Sequence, residues 1–166
     1  KFSQTLPIYS DDSTIENLFT ASKYHSVNES LILSARLYLK AANSIDDDVR
    51  VSKRIYIPSS RLRGFESGSI GPKDGTQYIG GNYGSAVTFN TTLPKLFNAN
   101  ENMDFNLFFD AANLWHVDYD SSLDSDKIRS ATGISVNWFT VVGPLSFSYA
   151  IPISEAKSDK TESFRF

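Results

Sequence analysis

The sequence predicts an all-β protein, an antiparallel transmembrane β-barrel wall, and three observations carry that prediction. Apolar side chains recur at every second position through several long segments, the period of a strand with one face apart from water. Those segments reach the ~9–11 residues that suffice to cross a bilayer when tilted. The connections between them differ in length, some short and some long and polar, as they do in the wall of such a barrel.

Phe2–Tyr9 and Ile15–Val27 are predicted as strands on weaker alternation. Glu29–Ala42 is the clearest: Leu31, Leu33, Ala35, Leu37, Leu39 and Ala41 fall on one face, with Ser30, Ser34, Arg36, Tyr38 and Lys40 on the other. A helix would scatter those leucines round its circumference, whereas a strand collects them. Over Tyr83–Leu93, Val87 and Phe89 oppose Gly84, Ala86, Thr88 and Asn90. Met103, Phe105, Leu107, Phe109, Ala111 and Trp115 then share a face opposite Asp104, Asn106 and Asp110. Ile128, Ile134, Val136 and Trp138 oppose Lys127, Arg129, Ser135 and Asn137. Leu145, Phe147, Tyr149, Ile151 and Ile153 oppose Ser146, Ser148, Ala150 and Pro152. Glu162–Phe166 opens one more strand, and no helix is predicted.

Shorter connections at Asn28, Pro94–Asn102 and Thr140–Gly143 alternate with longer ones at Asn43–Gly81, His116–Asp126 and Ser154–Thr161. Trp115, Trp138, Tyr83 and Tyr149 lie near strand ends or on apolar faces, where an interfacial girdle would hold them. Alternation alone also suits a soluble sandwich strand with one face in a core, so that reading stays open at this point.

Composition narrows the classes. The chain has 166 residues, 40% hydrophobic and 21% charged, which is one domain by length and not a disordered composition. A net charge of −3 argues against nucleic acid as a partner. The absence of cysteine removes disulfide scaffolds, thiolate zinc sites and thiol catalysis. No apolar run approaches the ~18 residues of a spanning helix. Starting at Lys1 without a methionine and stopping at Phe166, the chain is expected to be a piece of something longer.

The longest connection carries Arg61-Leu62-Arg63-Gly64-Phe65-Glu66-Ser67-Gly68-Ser69-Ile70-Gly71-Pro72, followed by Ile79-Gly80-Gly81-Asn82. This resembles the long-loop motif of the BamA family of outer-membrane assembly factors, in which an RGF tripeptide precedes an IGP and a GG-N. Phe108-Phe109-Asp110-Ala111-Ala112-Asn113-Leu114-Trp115 resembles that family's FFxDxGxxW strand. Ile128-Arg129-Ser130-Ala131-Thr132-Gly133-Ile134 with Trp138 is similar to its IRxSxGxxxxW strand. Gly143-Pro144-Leu145-Ser146-Phe147-Ser148-Tyr149-Ala150-Ile151-Pro152 is similar to its GPLxFSYAxP strand. The four motifs occur in order over 61–166, while the first sixty residues fit by position and pattern only.

The resemblance implies that residues 1–166 are the C-terminal portion of an outer-membrane β-barrel, about seven to eight strands of a sixteen-stranded whole, without its periplasmic POTRA domains. The loop 43–81 would fold back into the lumen. Two departures stand out: Asn90 occupies the place where the family often has a lumen-facing Glu, and Ala112 replaces the glycine of FFxDxG.

The chemistry of Arg63 follows from its surroundings. A guanidinium away from bulk water needs a partner, and Asp110 lies on the polar face of its strand. Given the resemblance, a bidentate Arg63–Asp110 pair is expected to pin the loop inside the barrel; from the residues alone, a solvated loop arginine with Asp110 among other neighbours is the simpler reading. Gly64 would allow a sharp turn or a close approach to the wall, and Phe65 would pack against lumen side chains. Ile70, Gly71 and Pro72 complete the loop motif.

Other constellations are weaker. Asp118, Asp120, Asp124 and Asp126 lack the glycine and terminal Glu of an EF-hand and are read as a solvated loop, as is the run Asp46-Asp47-Asp48. His25 and His116 have no partner at ligand spacing, and Ser69 has no nucleophile elbow around it. No acid, base and nucleophile set converges, so no enzyme, cofactor or metal is expected.

The function implied by the resemblance is assembly and insertion of β-barrel proteins into the bacterial outer membrane. Its partners would be outer-membrane lipid, nascent barrel proteins and accessory lipoproteins. The alternatives are a related translocation pore, TamA-like or of two-partner secretion, and, from another class, a passive porin or a soluble β-sandwich binding module.

Overall fold

Among the described residues eight strands lie side by side in one antiparallel sheet, β1 (Phe2–Thr5), β2 (Thr14–Asn28), β3 (Leu31–Ser44), β7 (Tyr83–Leu93), β8 (Met103–Trp115), β9 (Arg129–Thr140), β10 (Gly143–Ser154) and β12 (Phe164–Arg165). The structure, a computed structural model, describes residues 1–7, 13–46, 48–93, 102–124 and 126–166. Four short strands stand outside the main sheet: β4 (Gly64–Phe65) pairs with β11 (Thr161–Glu162), and β5 (Lys73–Asp74) with β6 (Gln77–Tyr78). Among the described residues there is no α-helix, only single 3-10 turns at Val51–Lys53 and Ser121–Leu123. Among those residues no helix is long and apolar enough to cross a membrane.

The strands form where alternation predicts them, with shifted ends. β3 continues to Ser44, two residues past the expected boundary, and the first strand is seen over Phe2–Thr5. The expected end of that strand at Tyr9 lies outside the described residues, as do 94–101 of the Pro94–Asn102 connection and Asp47 of the acidic run. Every pairing between neighbouring strands is antiparallel, so consecutive strands need only a turn between them. The β9–β10 turn is Val141–Val142.

The register sorts the side chains into two faces. The inner face is covered by the long connection 45–82: Val49, Ile55, Ile57, Leu62, Phe65 and Ile70 pack against Tyr38, Ala42, Ala86, Ala112, Leu114 and Ala131 of the sheet. The wall positions beneath the loop are mostly small, which lets the loop backbone come close. On the outer face Phe89, Leu107, Phe109, Ile134, Trp138, Leu145, Tyr149, Ile151 and Ile153 remain exposed. A soluble β-sandwich would need a second sheet over those side chains. The β4–β11 pair instead approaches the inner face, where Gly64 faces Ala131 and Ala150. A continuous apolar face of this size suits lipid rather than water. Of the expected girdle residues, Trp138 lies close to the β9–β10 turn, and Tyr83 packs on Trp115 with ring centroids 6.1 Å apart. Tyr149 sits near the middle of β10.

Candidate functional site

Two rows of inward residues cross the sheet side by side. Arg36, Thr88, Asp110, Ala131 and Pro152 are successive neighbours across β3, β7, β8, β9 and β10, and Ser34, Asn90, Phe108, Gly133 and Ala150 form the adjacent row. The Arg63-Gly64-Phe65 segment lies over these rows. Arg63 donates from Nε to Asp110 Oδ2 at 2.7 Å and from Nη2 to Asp110 Oδ1 at 2.8 Å. Its backbone N–H adds a third bond to Oδ2 at 3.1 Å. The fork satisfies the geometry that a guanidinium and a carboxylate prefer.

Asp110 is fully buried, with 0% of its side chain exposed. A charge so placed is tolerated only because its partner and hydrogen bonds are complete. Asn90 does not leave a gap: its Oδ1 accepts from Arg63 Nη2 at 3.1 Å. Beneath the guanidinium the ring of Phe108 lies 3.4 Å away, centroid to Cζ, a cation–π stack that also shields the pair from water.

The glycine after Arg63 has two reasons to be there. Its φ is +90°, and a Cβ on it would stand 3.1 Å from Ala131 Cβ and 3.2 Å from Ala150 Cβ, so any side chain meets both backbone strain and the wall. Phe65 is buried in the core cluster. Ile70 belongs to the same cluster, while Gly71 lies against Leu114 and Pro72 is fully buried. Ala112, the departure from the FFxDxG pattern, is part of that core.

A second tie fastens the other end of the loop. Asn82 of the Gly80-Gly81-Asn82 motif donates from Nδ2 to Asp118, 2.8 Å from each carboxylate oxygen, and Val49 N–H donates to Asp118 Oδ2 at 2.9 Å. Burial, the largest single influence, pushes the Asp118 carboxyl up. The bonds from Asn82 and Val49 and the charges of His116 and Arg54 together outweigh it and hold the group below the usual carboxylate value. Asp118 was expected in a solvated loop and is instead a tether. Asp120 has a different role, accepting from Ser122 N–H to cap a 3-10 turn.

Two contributors to this site, Phe108 and Gly133, escaped the sequence reading. Phe108 interrupts the alternation of β8 as the middle of three consecutive apolar residues, a signal that it faces something other than water. Gly133 lies opposite it, and a Cβ there would come within 2.8 Å of Phe108 Cζ and 2.0 Å of Tyr149 O. Arg129, placed correctly on the polar face of β9, pairs with Asp159. Ser69 Oγ donates to Glu66 O at 2.6 Å, a loop bond. Among the described residues no cluster of His, Asp or Glu is arranged to hold a metal.

The sheet, apolar outside and tied to an infolded loop inside, defines part of an outer-membrane β-barrel wall. The Omp85 superfamily domain profile matches residues 1–166, and the chain belongs to that superfamily of bacterial outer-membrane proteins. It is 28% identical over 167 residues to the outer membrane protein assembly factor BamA of Nitratidesulfovibrio vulgaris, an alignment covering 96% of this chain and 20% of that protein. It is also 28% identical to the BamA of Neisseria meningitidis serogroup B, covering 63% of this chain and 17% of the relative. The crystal structure of BamA from Haemophilus ducreyi lacking POTRA domains 1–3 superposes with a TM-score of 0.86 at 27% identity, over 98% of this chain and 36% of that one. The chain thus spans about a fifth of the length of the curated relatives it matches.

Proposed function

We propose that this chain is the C-terminal wall of a BamA-type assembly factor, which inserts nascent β-barrel proteins into the outer membrane. In this reading the Arg63-Gly64-Phe65 loop is pinned inside the barrel as a rigid internal support. The observation that carries it is the buried Arg63–Asp110 fork, supported by the resemblance of the whole chain to BamA relatives. Such work needs an oriented scaffold and a lipid-facing wall rather than a catalytic group. Outer-membrane lipid covers the apolar face, nascent barrel strands are the substrate, and accessory lipoproteins complete the machine.

The test uses the full-length protein in lipid vesicles, with folding of an added outer-membrane barrel as the readout. Arg63→Ala and Asp110→Asn are expected to lower the assembly rate while the sheet remains folded. Unchanged assembly in both variants would overturn the reading. The related translocation pores share the loop, and secretion of an exported adhesin in place of barrel insertion would favour them.

A further inference from the structure

The last connection of the chain is tied down in a way the loop motif does not account for. Arg129 and Asp159 form a fork of their own, Nε to Oδ2 at 2.9 Å and Nη2 to Oδ1 at 3.0 Å. Both side chains are 0% exposed. The remaining guanidinium nitrogen, Nη1, donates to Asn113 Oδ1 at 3.0 Å and Lys127 O at 2.8 Å. Asp159 is itself held by a local turn, accepting from Ala156 N–H at 2.7 Å while its own N–H donates to Ala156 O at 3.0 Å.

Immediately after Asp159 the backbone bonds to the long loop. Lys160 O accepts from Glu66 N–H at 2.9 Å and from Ser69 Oγ at 3.2 Å, and Lys160 N–H donates to Ser69 O at 3.3 Å. Thr161 and Glu162 then pair with Phe65 and Gly64. Arg165 Nη2 donates to Phe65 O at 2.9 Å, and Tyr78 hydroxyl donates to Ser158 O. β12 in turn pairs with β10, Arg165 with Ser148 and Phe164 with Tyr149. The segment entering β12 is therefore held from the loop side as well as from the sheet side.

We infer that Arg129 and Asp159 are a positioning pair, a latch that straps the 155–163 connection over Gly64–Ser69 so that the loop and the terminal strand move as one unit. The inference rests on the reading of the loop as an internal support and adds a second hold on the loop beside the Asp110 fork. The neighbouring Lys160–Glu66 pair, 3.8 Å apart and more than half exposed on both sides, contributes little to the strap because water screens it. The Arg129–Asp159 pair is the opposite case: taking away one charge leaves the other buried without a counterion.

The test is amide hydrogen exchange on the full-length protein in lipid, comparing wild type with D159N. Exchange is expected to quicken by about tenfold or more in both 64–69 and 155–165, with the β2–β3 hairpin unchanged. A second variant guards against a general folding defect. Residues 66 and 160 are exposed and face each other one step beyond the β4–β11 pairing, so E66C/K160C in the D159N background can form a disulfide. Oxidation should restore protection to both segments and reduction should remove it. Faster exchange confined to 155–160, with 64–69 unaltered, would overturn the latch, as would failure of the oxidised variant to recover protection. Since exchange is read without any assembly assay, loss of the proposed function leaves this result intact, and the reverse holds too.

Discussion

Arg63 Nη2 is shared between the carboxylate of Asp110 and the amide oxygen of Asn90, at 2.8 and 3.1 Å. The two partners are unequal, one a buried charge and the other a neutral acceptor. Arg63→Ala leaves the Asp110 charge uncompensated and should cost about 3–5 kcal/mol of loop docking. Asn90→Leu removes one neutral acceptor and should cost about 1–2 kcal/mol. Protease sensitivity of residues 49–81 against urea concentration ranks the two, and the reverse order would refute the division of roles.

Gly133 makes room for Phe108, and Phe108 carries the guanidinium of Arg63. Gly133→Ala should therefore loosen a loop it does not touch, because the new methyl meets the Tyr149 carbonyl of β10 at 2.0 Å and the Phe108 ring at 2.8 Å, and both must shift. The expectation is faster exchange at Arg63 and Gly64 with the β2–β3 pairing intact. Phe108→Leu should give the same phenotype more weakly, through loss of the cation–π contact worth about 0.5–2 kcal/mol.

Leu107 and Ile134 are register partners exposed on the outer face. If lipid covers that face, Leu107→Arg near the bilayer midplane costs about 2–4 kcal/mol of membrane stability. Ser135→Arg on the inner face should cost far less. Folding titrations in lipid vesicles compare them, and equal costs would place water on both sides of the wall.

Asp118 gives the loop a dependence on acidity. Its folded pKa lies below the unfolded value, so its stabilising effect is complete above about pH 3.9 and fades as pH falls through the lower folded pKa. Exchange at 49–55 should rise across that acid range in the wild type, and Asp118→Asn should flatten the profile. A rise of equal size in the variant would assign the effect to another group.

The sheet was legible because one face is apolar and the other is not. From β3 onward the alternation marks every long strand, and β2 was faint since Asn17, Lys23 and His25 interrupt the face it shares with Phe19. The two-residue strands β4, β5, β6 and β11 carry no period and arise only from the way the loops meet. Arg63 and Asp110 could be named as candidates because a motif and a strand face pointed at each other. Asp118 and Asp159 could not, since each sits in a polar connection where an acidic residue is by default solvated, and only the fold brings Asn82 or Arg129 to it. Asn90 shows the limit of comparison by pattern: the missing carboxylate suggested a lost partner, while the amide oxygen still reaches the guanidinium.

The apolar packing of Val49, Ile55, Ile57, Leu62, Phe65 and Ile70 onto the inner face bears on electrical behaviour. Ions follow continuous water, and side chains at interior packing density exclude it. Beneath the loop this face of the sheet therefore acts as an insulator. With the sheet closed into the proposed barrel, planar-bilayer recordings should show current rising when those side chains are pulled free.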